Sequence, residues 1–270
     1  MIRAAAALFF LLLAGPAPAG PAAGAPAPAL ALIIDDLGHR WAEGRRAVRL
    51  PAPVSVSILP GTPYGRKLAR LAHARGQEVL LHLPMESETG DPLGPAGLTA
   101  ALDRAAFRAR LRRALAAVPH AAGVNNHMGS RLTRQPRPMA WVMEMLAERP
   151  PLFFVDSRTT PASVALRAAA RHGVPAVRRH VFLDHVQDPE AIAFQWERWL
   201  ARARARGAAL AIAHPRPLTL DILEARLAGL KRRGFRLLTV ARLIEERHGR
   251  NPTWQVSWSP LRKAAKNSRP

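Results

Sequence analysis

The sequence contains no cysteine, a single tyrosine and few acidic residues, and each shortage excludes a class of structure or function. Without cysteine the chain has no disulfide, no thiolate metal site and no lipid-modified cysteine at an export cleavage point. Hydrophobic residues make up 49% of the 270 positions, which is enough for one sizeable core. We therefore expect one domain of barrel size held by its core alone, and two domains are possible but not required.

The shortage of acidic residues leaves 19 Asp and Glu against 40 Lys and Arg, a formal net charge of +21. Such a charge is typical of proteins that bind nucleic acid. However, Arg and Ala dominate the whole sequence, which indicates a compositional bias, and no set of aromatic residues that could stack bases accompanies the basic ones. We expect no nucleic-acid partner, and attraction to anionic envelope polymers or lipid headgroups instead.

Long hydrophobic runs are also missing, since none reaches the roughly 20 residues that cross a bilayer. Near its start the sequence has a positive charge at Arg3, an apolar stretch at 4–14 and small residues at 17–19. This is the pattern of a secretory signal peptide. This pattern predicts an exported, periplasmic protein without a stable transmembrane anchor after cleavage, with a retained anchor as the alternative.

The remaining composition predicts three further regions. Residues 20–28 are rich in Pro, Ala and Gly, which predicts an extended linker. Residues 29–248 are expected to fold as one domain, and residues 249–270, which show no sustained period, are expected to form a flexible tail.

Short apolar runs alternate with helical patterns along the predicted domain, which is typical of βα units and a mostly parallel sheet. We expect an α/β fold, a distorted TIM-like (β/α) barrel of about seven or eight mostly parallel strands. A doubly wound open sheet is the alternative. The predicted strands are 29–34, 54–59, 78–82, 122–125, 152–155, 177–183, 208–213 and 236–239. The predicted helices are Tyr64–Arg75, Asp103–Val118, Pro138–Arg149, Ser163–His172, Asp188–Gly207 and Leu218–Arg233.

Ionisable or amide side chains stand at the ends of six predicted strands. Parallel strands deliver their carboxyl ends to one face of a barrel, where the active sites of such barrels lie. The sequence therefore predicts a single site built from many strand ends. In chain order these residues are Asp35 and Asp36, His82, Asn125 to His127, Asp156, Asp184 and His214.

Five motifs that contain these residues resemble those of the divergent polysaccharide deacetylases, in the same order along residues 29 to 245. They are Leu32–Gly38, Leu81–Glu86, Gly123–Ser130, Phe153–Ser157 and Ala213–Pro217. The resemblance implies a distorted barrel of the NodB-like carbohydrate esterase superfamily, a divalent metal, and removal of N-acetyl groups from an amino-sugar polymer or oligomer of the cell envelope.

The chemistry of amide hydrolysis suggests roles for these residues. A bound metal lowers the pKa of its water and polarises the carbonyl, and two imidazoles with one carboxylate are a common ligand set. We predict Asp36, His82 and His127 as ligands of a divalent metal, with zinc as the expected ion. Asp35 is the predicted general base, provided that the chain bends, which Gly38 permits. His214 is the predicted general acid.

Other polar residues are predicted to bind substrate or to orient these groups. They are Glu86, Asn125, Asn126, Asp156, Ser157 and Asp184. Glu86 stands four residues after His82, where the wider superfamily has a second histidine, so it is either an alternative ligand or an orienting residue. Ser87 stands where the family has proline.

Two alternatives to the enzyme remain open from the sequence. One is a non-catalytic envelope protein that binds a glycan or a protein partner, whose identity the sequence leaves unknown, through the same cleft. The other is a metal-free glycoside hydrolase with Asp35 and Asp156 as its paired carboxylates.

Overall fold

The computed structural model describes residues 26–248. The predicted signal peptide at 1–19, most of the predicted linker at 20–28 and the predicted tail at 249–270 lie outside the described residues. None of the helices within 26–248 combines the length and the apolar character needed to span a bilayer.

A single parallel sheet curls into a distorted barrel, as predicted. Eight strands follow one another in the order β6-β5-β4-β3-β2-β1-β8-β7, and β9 pairs with the first three residues of β1. The strands are β1 Ala29–Leu37, β2 Ser55–Ile58, β3 Glu78–Met85, β4 Ala121–Met128, β5 Phe153–Asp156, β6 Ala176–Arg178, β7 Val181–Phe182, β8 Ala208–Ala213 and β9 Arg236–Leu238.

The prediction of one strand over 177–183 is wrong. The chain pairs with β5 through β6, is interrupted at Arg179 and His180, and then pairs with β8 through β7. At the interruption the backbone N–H of Arg179 donates to the carbonyl oxygen of Asp156. The backbone N–H of His180 donates to the carbonyl oxygen of Leu210, and both distances are 2.9 Å. One segment thus contacts both ends of the curled sheet, because its backbone changes partner between two consecutive residues.

Interior side chains follow the two-residue period of the strands. On β1, Ala29, Ala31 and Ile33 point into the barrel, where they pack against residues such as Leu80 of β3 and Ile212 of β8. Two positions further along each strand come Asp35, His82 and His214. The site therefore continues the interior face of the barrel at the carboxyl ends of the strands.

Eight helices surround the strands in the described part of the chain. They are α1 Trp41–Val48, α2 Gly65–Ala74, α3 Arg104–Ala117, α4 Pro136–Ala147, α5 Ala165–Arg171, α6 Pro189–Arg206, α7 Pro217–Leu227 and α8 Val240–His248. A short 3₁₀ helix, Leu132–Arg134, precedes α4. The predicted helix Leu218–Arg233 is too long, because the helix ends at Leu227 and the chain continues through turns.

Helices α1 and α8 are absent from the prediction. Gly44 in α1 weakens the helical signal, yet a Cβ at this position would come within 2.5 Å of Leu68, so glycine allows α1 to approach α2 closely. Helix α8 covers the amino-terminal end of the barrel, with Val240, Leu243 and Ile244 in the interior cluster. The carboxylate of Glu78 accepts from the Val240 N–H at 2.9 Å at the start of this helix.

Candidate metal centre

A local change of backbone conformation directs two adjacent carboxylates to the same site. Neighbouring residues of a strand normally point to opposite faces. Asp36 has φ +58°, a left-handed conformation that is uncommon for a residue with a side chain, and the pairing of β1 with β2 is irregular between Ile34 and Leu37. The predicted bend is therefore present, and Asp36 itself takes part in it together with Gly38, at φ +133°.

Asp36, His82 and His127 converge as a cluster of potential metal ligands. Oδ1 of Asp36 lies 3.1 Å from Nε2 of His82 and 3.0 Å from Nδ1 of His127. The two imidazole nitrogens are 3.2 Å apart. Oδ1 of Asp36 is buried without a hydrogen bond of acceptable geometry, so its lone pairs face the two nitrogens unsatisfied. One carboxylate and two imidazoles converging in this way fit the donor set of a divalent cation such as zinc.

Asn125 connects this cluster to Asp35. The Nδ1–H of His82 donates to Oδ1 of Asn125 at 3.0 Å, which leaves Nε2 facing Asp36. Oδ1 of Asn125 also accepts from the Ser57 hydroxyl. Its Nδ2 donates to Oδ1 of Asp35 at 2.9 Å and to the Ser157 hydroxyl at 3.1 Å. One fully buried amide therefore orients a candidate ligand and the candidate base.

His214 directly follows β8, faces the cluster and is held by Asp184. Its Nδ1 lies 3.0 Å from Oδ1 of Asp184, and its backbone N–H donates to Oδ2 of the same carboxylate at 2.9 Å. Thr219 donates its hydroxyl to that oxygen at 2.9 Å. Nε2 of His214 remains on the side of the site, 3.6 Å from Oδ2 of Asp36.

Charge and burial act against each other in the site. Burial raises the pKa of Asp35, although the charges of His82 and His214 oppose the shift. For Asp36 burial is outweighed by His127 and His82, which hold its pKa well below the usual range. Burial disfavours the charged form of His82, but Asp35 and Asp36 outweigh it and raise its pKa to about 9. His214 also has a raised pKa, since its contact with Asp184 outweighs burial. The two carboxylates therefore favour positive charge at the site, as protons or as a cation.

The remaining predicted residues hold the rim of the site. Oδ1 of Asn126 accepts from the Ser157 N–H at 2.9 Å, and its Nδ2 donates to the Met128 carbonyl at 2.7 Å. Oδ1 of Asp156 accepts from the Arg158 N–H at 2.8 Å, and burial raises the pKa of Asp156. Met128 and Arg158 have φ of +54° and +53°, so the chain turns sharply after both strands.

The predicted strand over 122–125 is too short, because β4 continues beyond Asn125. The ladder between β3 and β4 continues to the pair Met85 and Met128, so Asn126 and His127 also lie within the strand. Alternation along β4 then directs Asn125 and His127 toward the site, while Asn126 bonds to the rim.

Glu86 lies outside the cluster of converging ligands, which speaks against its role as an alternative ligand among the described residues. Its carboxylate accepts from the Ala100 N–H at 2.7 Å and lies 3.4 Å from the guanidinium of Arg131. Glu86 thus fastens the segment that follows β3 to the turn that follows β4.

Three residues that support the site are missing from the predicted set. Ser57 and Thr219 are fully buried and bond to Asn125 and Asp184. Arg179 donates from Nε to the Ser157 carbonyl at 2.6 Å. For Ser57 a signal exists, because serine at alternate positions of the short strand Ser55–Ile58 indicates polar groups inside the barrel.

The family model of the divergent polysaccharide deacetylases matches residues 32–244. Among curated proteins, the uncharacterized protein YibQ of Escherichia coli strain K12 is 40% identical over 195 residues, which cover 72% of this chain and 61% of YibQ. The chain thus matches less than two thirds of YibQ. An uncharacterized protein of Haemophilus influenzae is 37% identical over 201 residues, 74% of this chain and 71% of that protein.

Solved structures share the fold. The uncharacterized protein ATU2773 of Agrobacterium tumefaciens C58 has a TM-score of 0.77 at 24% identity, covering 83% of this chain and 92% of that one. BA3943, a CE4 family pseudoenzyme from Bacillus anthracis, has a TM-score of 0.51 at 14% identity, covering 82% and 67%. The T48 deacetylase with substrate has the same score and identity, covering 82% and 92%.

At such identities the structural similarity shows the fold alone, whereas the family model covers most of the sequence. The resemblance seen in the five motifs is confirmed, and the distorted barrel agrees with it. The chain belongs to the divergent polysaccharide deacetylase family.

Proposed function

We propose that this protein is a metal-dependent hydrolase that removes N-acetyl groups from an amino-sugar polymer or oligomer of the cell envelope. The observation that supports the proposal is the convergence of Asp36, His82 and His127 beside a buried second carboxylate, Asp35. This arrangement also favours a metal site over the metal-free glycoside hydrolase.

Asp36, His82 and His127 would hold the cation. A divalent ion such as zinc supplies Lewis-acid polarisation of the amide carbonyl and a water of lowered pKa. Asp35 would act as general base through Oδ2, because Oδ1 already accepts from Asn125. Burial raises the pKa of Asp35 toward neutral pH, where a general base can both accept and return a proton.

His214 would protonate the departing amine. Asp184 fixes its Nδ1, so Nε2 is the atom that can deliver a proton to the nitrogen as the carbon–nitrogen bond breaks. In the complete reaction the oxygen of water bonds to the acetyl carbon and the carbon–nitrogen bond breaks. The products are acetate and a sugar with a free amine. Asp35 would thus take a proton from the attacking water, and His214 would give a proton to the amide nitrogen.

The expected location of this activity is the periplasm, which the signal-like residues 1–19 support. The glycan of the envelope would then be the substrate, and the net charge of +21 would favour its anionic surroundings.

Asp35→Asn tests the proposal. Acetate release from N-acetylglucosamine oligomers and peptidoglycan fragments is expected to fall by about 100-fold or more, because a general base is lost. Bound metal, measured by elemental analysis, is expected to remain. Asp221→Asn is the matched control, since Asp221 lies on α7 and pairs with Arg46 on the outer surface.

The contrary results separate the alternatives. Acetate release by Asp35→Asn at the rate of the unmodified chain would refute the role of Asp35. A chain that binds these glycans and a metal but releases no acetate would be the non-catalytic binding protein.

A further inference from the structure

A cavity of about 800 Å³ lies at the opposite end of the barrel from the candidate metal centre. Its wall is formed where β6 and β8 begin, where α6 ends and where α8 covers the barrel. The side chains that matter for its chemistry are Arg178, Arg202, Arg206, Arg247 and His180. Volumes of 300 to roughly 1,000 Å³ are typical of sites for small molecules.

The four guanidinium groups of this cavity lack carboxylate partners. Among the ion pairs of residues 26–248, none involves any of the four, although arginines elsewhere on the surface pair with Asp or Glu. The sequence outside that range contains no Asp and no Glu, so it has no acidic side chain to offer. Within residues 26–248, these four guanidinium groups therefore form no ion pair with an acidic side chain, although Glu246 lies near Arg206 and Arg247.

Burial and the neighbouring positive charges act in the same direction on the pKa values of this cavity. Burial and the nearby charge of Arg178 lower the pKa of Arg247. Burial and the charges of Arg247, Arg202 and Arg178 lower the pKa of His180 to about 4. Bringing like charges together costs free energy, and an anion bound between them would recover it.

His180 adds a donor of fixed orientation. Its Nδ1 accepts from the Leu210 N–H at 2.9 Å, so in the neutral ring the proton resides on Nε2. The cavity thus combines four guanidinium groups from β6, α6 and α8 with an imidazole N–H that is held by β8.

We propose that this cavity is a binding site for a phosphate-bearing group with two or more negative charges. Guanidinium groups bind phosphate oxygens through paired hydrogen bonds, and several of them around one concave surface suit a polyvalent anion better than a single carboxylate. The group could belong to a soluble phosphate or to the headgroup of a lipid. The site lies on the other end of the barrel and does not depend on the deacetylase proposal.

The test is titration of the full chain with inorganic pyrophosphate by calorimetry. The unmodified protein is expected to bind saturably at one site. Arg202→Gln combined with Arg247→Gln is expected to weaken binding by tenfold or more, since hydrogen bonds to charged groups are lost. Arg70→Gln combined with Arg113→Gln removes the same charge from exposed positions of α2 and α3 and is the matched control.

A second arm identifies the source of the group. Flotation with phosphatidylcholine vesicles that contain phosphatidic acid would show capture of a headgroup if the first double variant loses binding and the control does not. Binding of pyrophosphate alone, with the same dependence on the variants, would identify a soluble ligand. Equal weakening by both double variants, or no saturable binding of either probe, would overturn the proposal.

Discussion

Asp35 and Asp36 show how one residue's conformation decides the chemistry of the site. Alternation along β1 would place one carboxylate inside the barrel and the other against the surrounding helices. The left-handed conformation of Asp36 brings both to the same site, at a cost of about 1 to 3 kcal/mol for a residue other than glycine. Such strain persists only where the surrounding structure holds the residue in place. Here the strained residue is Asp36, a candidate metal ligand.

Gly123 is the residue whose replacement tests the packing below the site. A Cβ at this position would come within 2.4 Å of the Phe153 ring, which fills the barrel interior next to β4. Gly123→Ala is expected to destabilise the fold by about 1 to 3 kcal/mol, because ring and backbone must move apart. Chemical denaturation measures the change.

The control for this prediction is Gly229→Ala. The nearest atom to a Cβ at Gly229 would be 3.4 Å away, which is ordinary contact. This variant is expected to change the free energy of unfolding little. Equal stability of Gly123→Ala and the unmodified chain would contradict the packing described for Phe153.

At the scale of the elements, sequence patterns predicted most strands because buried parallel strands form continuous apolar runs. The patterns failed where tertiary contacts decide. The segment 176–182 divides between two partner strands, which no local pattern encodes. Helix α1 was missed because Gly44 lowers the helix propensity of its sequence, whereas the close approach of Leu68 requires a glycine there. The extension of β4 through His127 was missed because polar residues in a strand resemble a loop.

The same limit applies to the site. Asp36, His82 and His127 could be chosen from the sequence because each ends an apolar run and belongs to a motif. Ser57 and Thr219 have no motif, and their contacts with Asn125 and Asp184 follow from the three-dimensional arrangement of strands distant in sequence.

The interruption between β6 and β7 gives a prediction for the pH dependence of stability. The Nδ1 atom of His180 accepts from the Leu210 N–H. Burial and the charges of four arginines lower the pKa of His180 from 6.5 to about 4, and these are Arg247, Arg202, Arg178 and Arg158. Between these pH values the unfolded chain binds more protons than the folded chain, so the contribution of His180 to stability is lost as the pH falls.

His180→Asn keeps an acceptor for Leu210 but does not titrate. Relative to this variant, the unmodified protein is expected to lose at most about 3 kcal/mol of unfolding free energy as the pH falls from 6.5 to 4. Denaturant titrations in buffers without polyvalent anions measure this difference. Parallel pH profiles of the two proteins would show that His180 is not held in its neutral form.

Over residues 26–248, the molecule presents two different ends. The carboxyl ends of the strands gather carboxylates and imidazoles around a candidate cation site, and the amino-terminal end gathers unpaired guanidinium groups around a cavity. Both sites depend on the curled sheet, since their residues come from strands and helices far apart in the sequence. The net charge of +21 favours contact with anionic molecules.

We propose that Asp36, His82 and His127 share one divalent cation, and metal analysis of the purified full chain measures this. The unmodified protein should bind one zinc ion, and His82→Ala and His127→Ala should each weaken binding by more than about 100-fold. His73→Ala should bind zinc normally, since His73 lies on α2 and stacks on His120 instead. Full zinc binding by both His82→Ala and His127→Ala would show that neither histidine is a ligand.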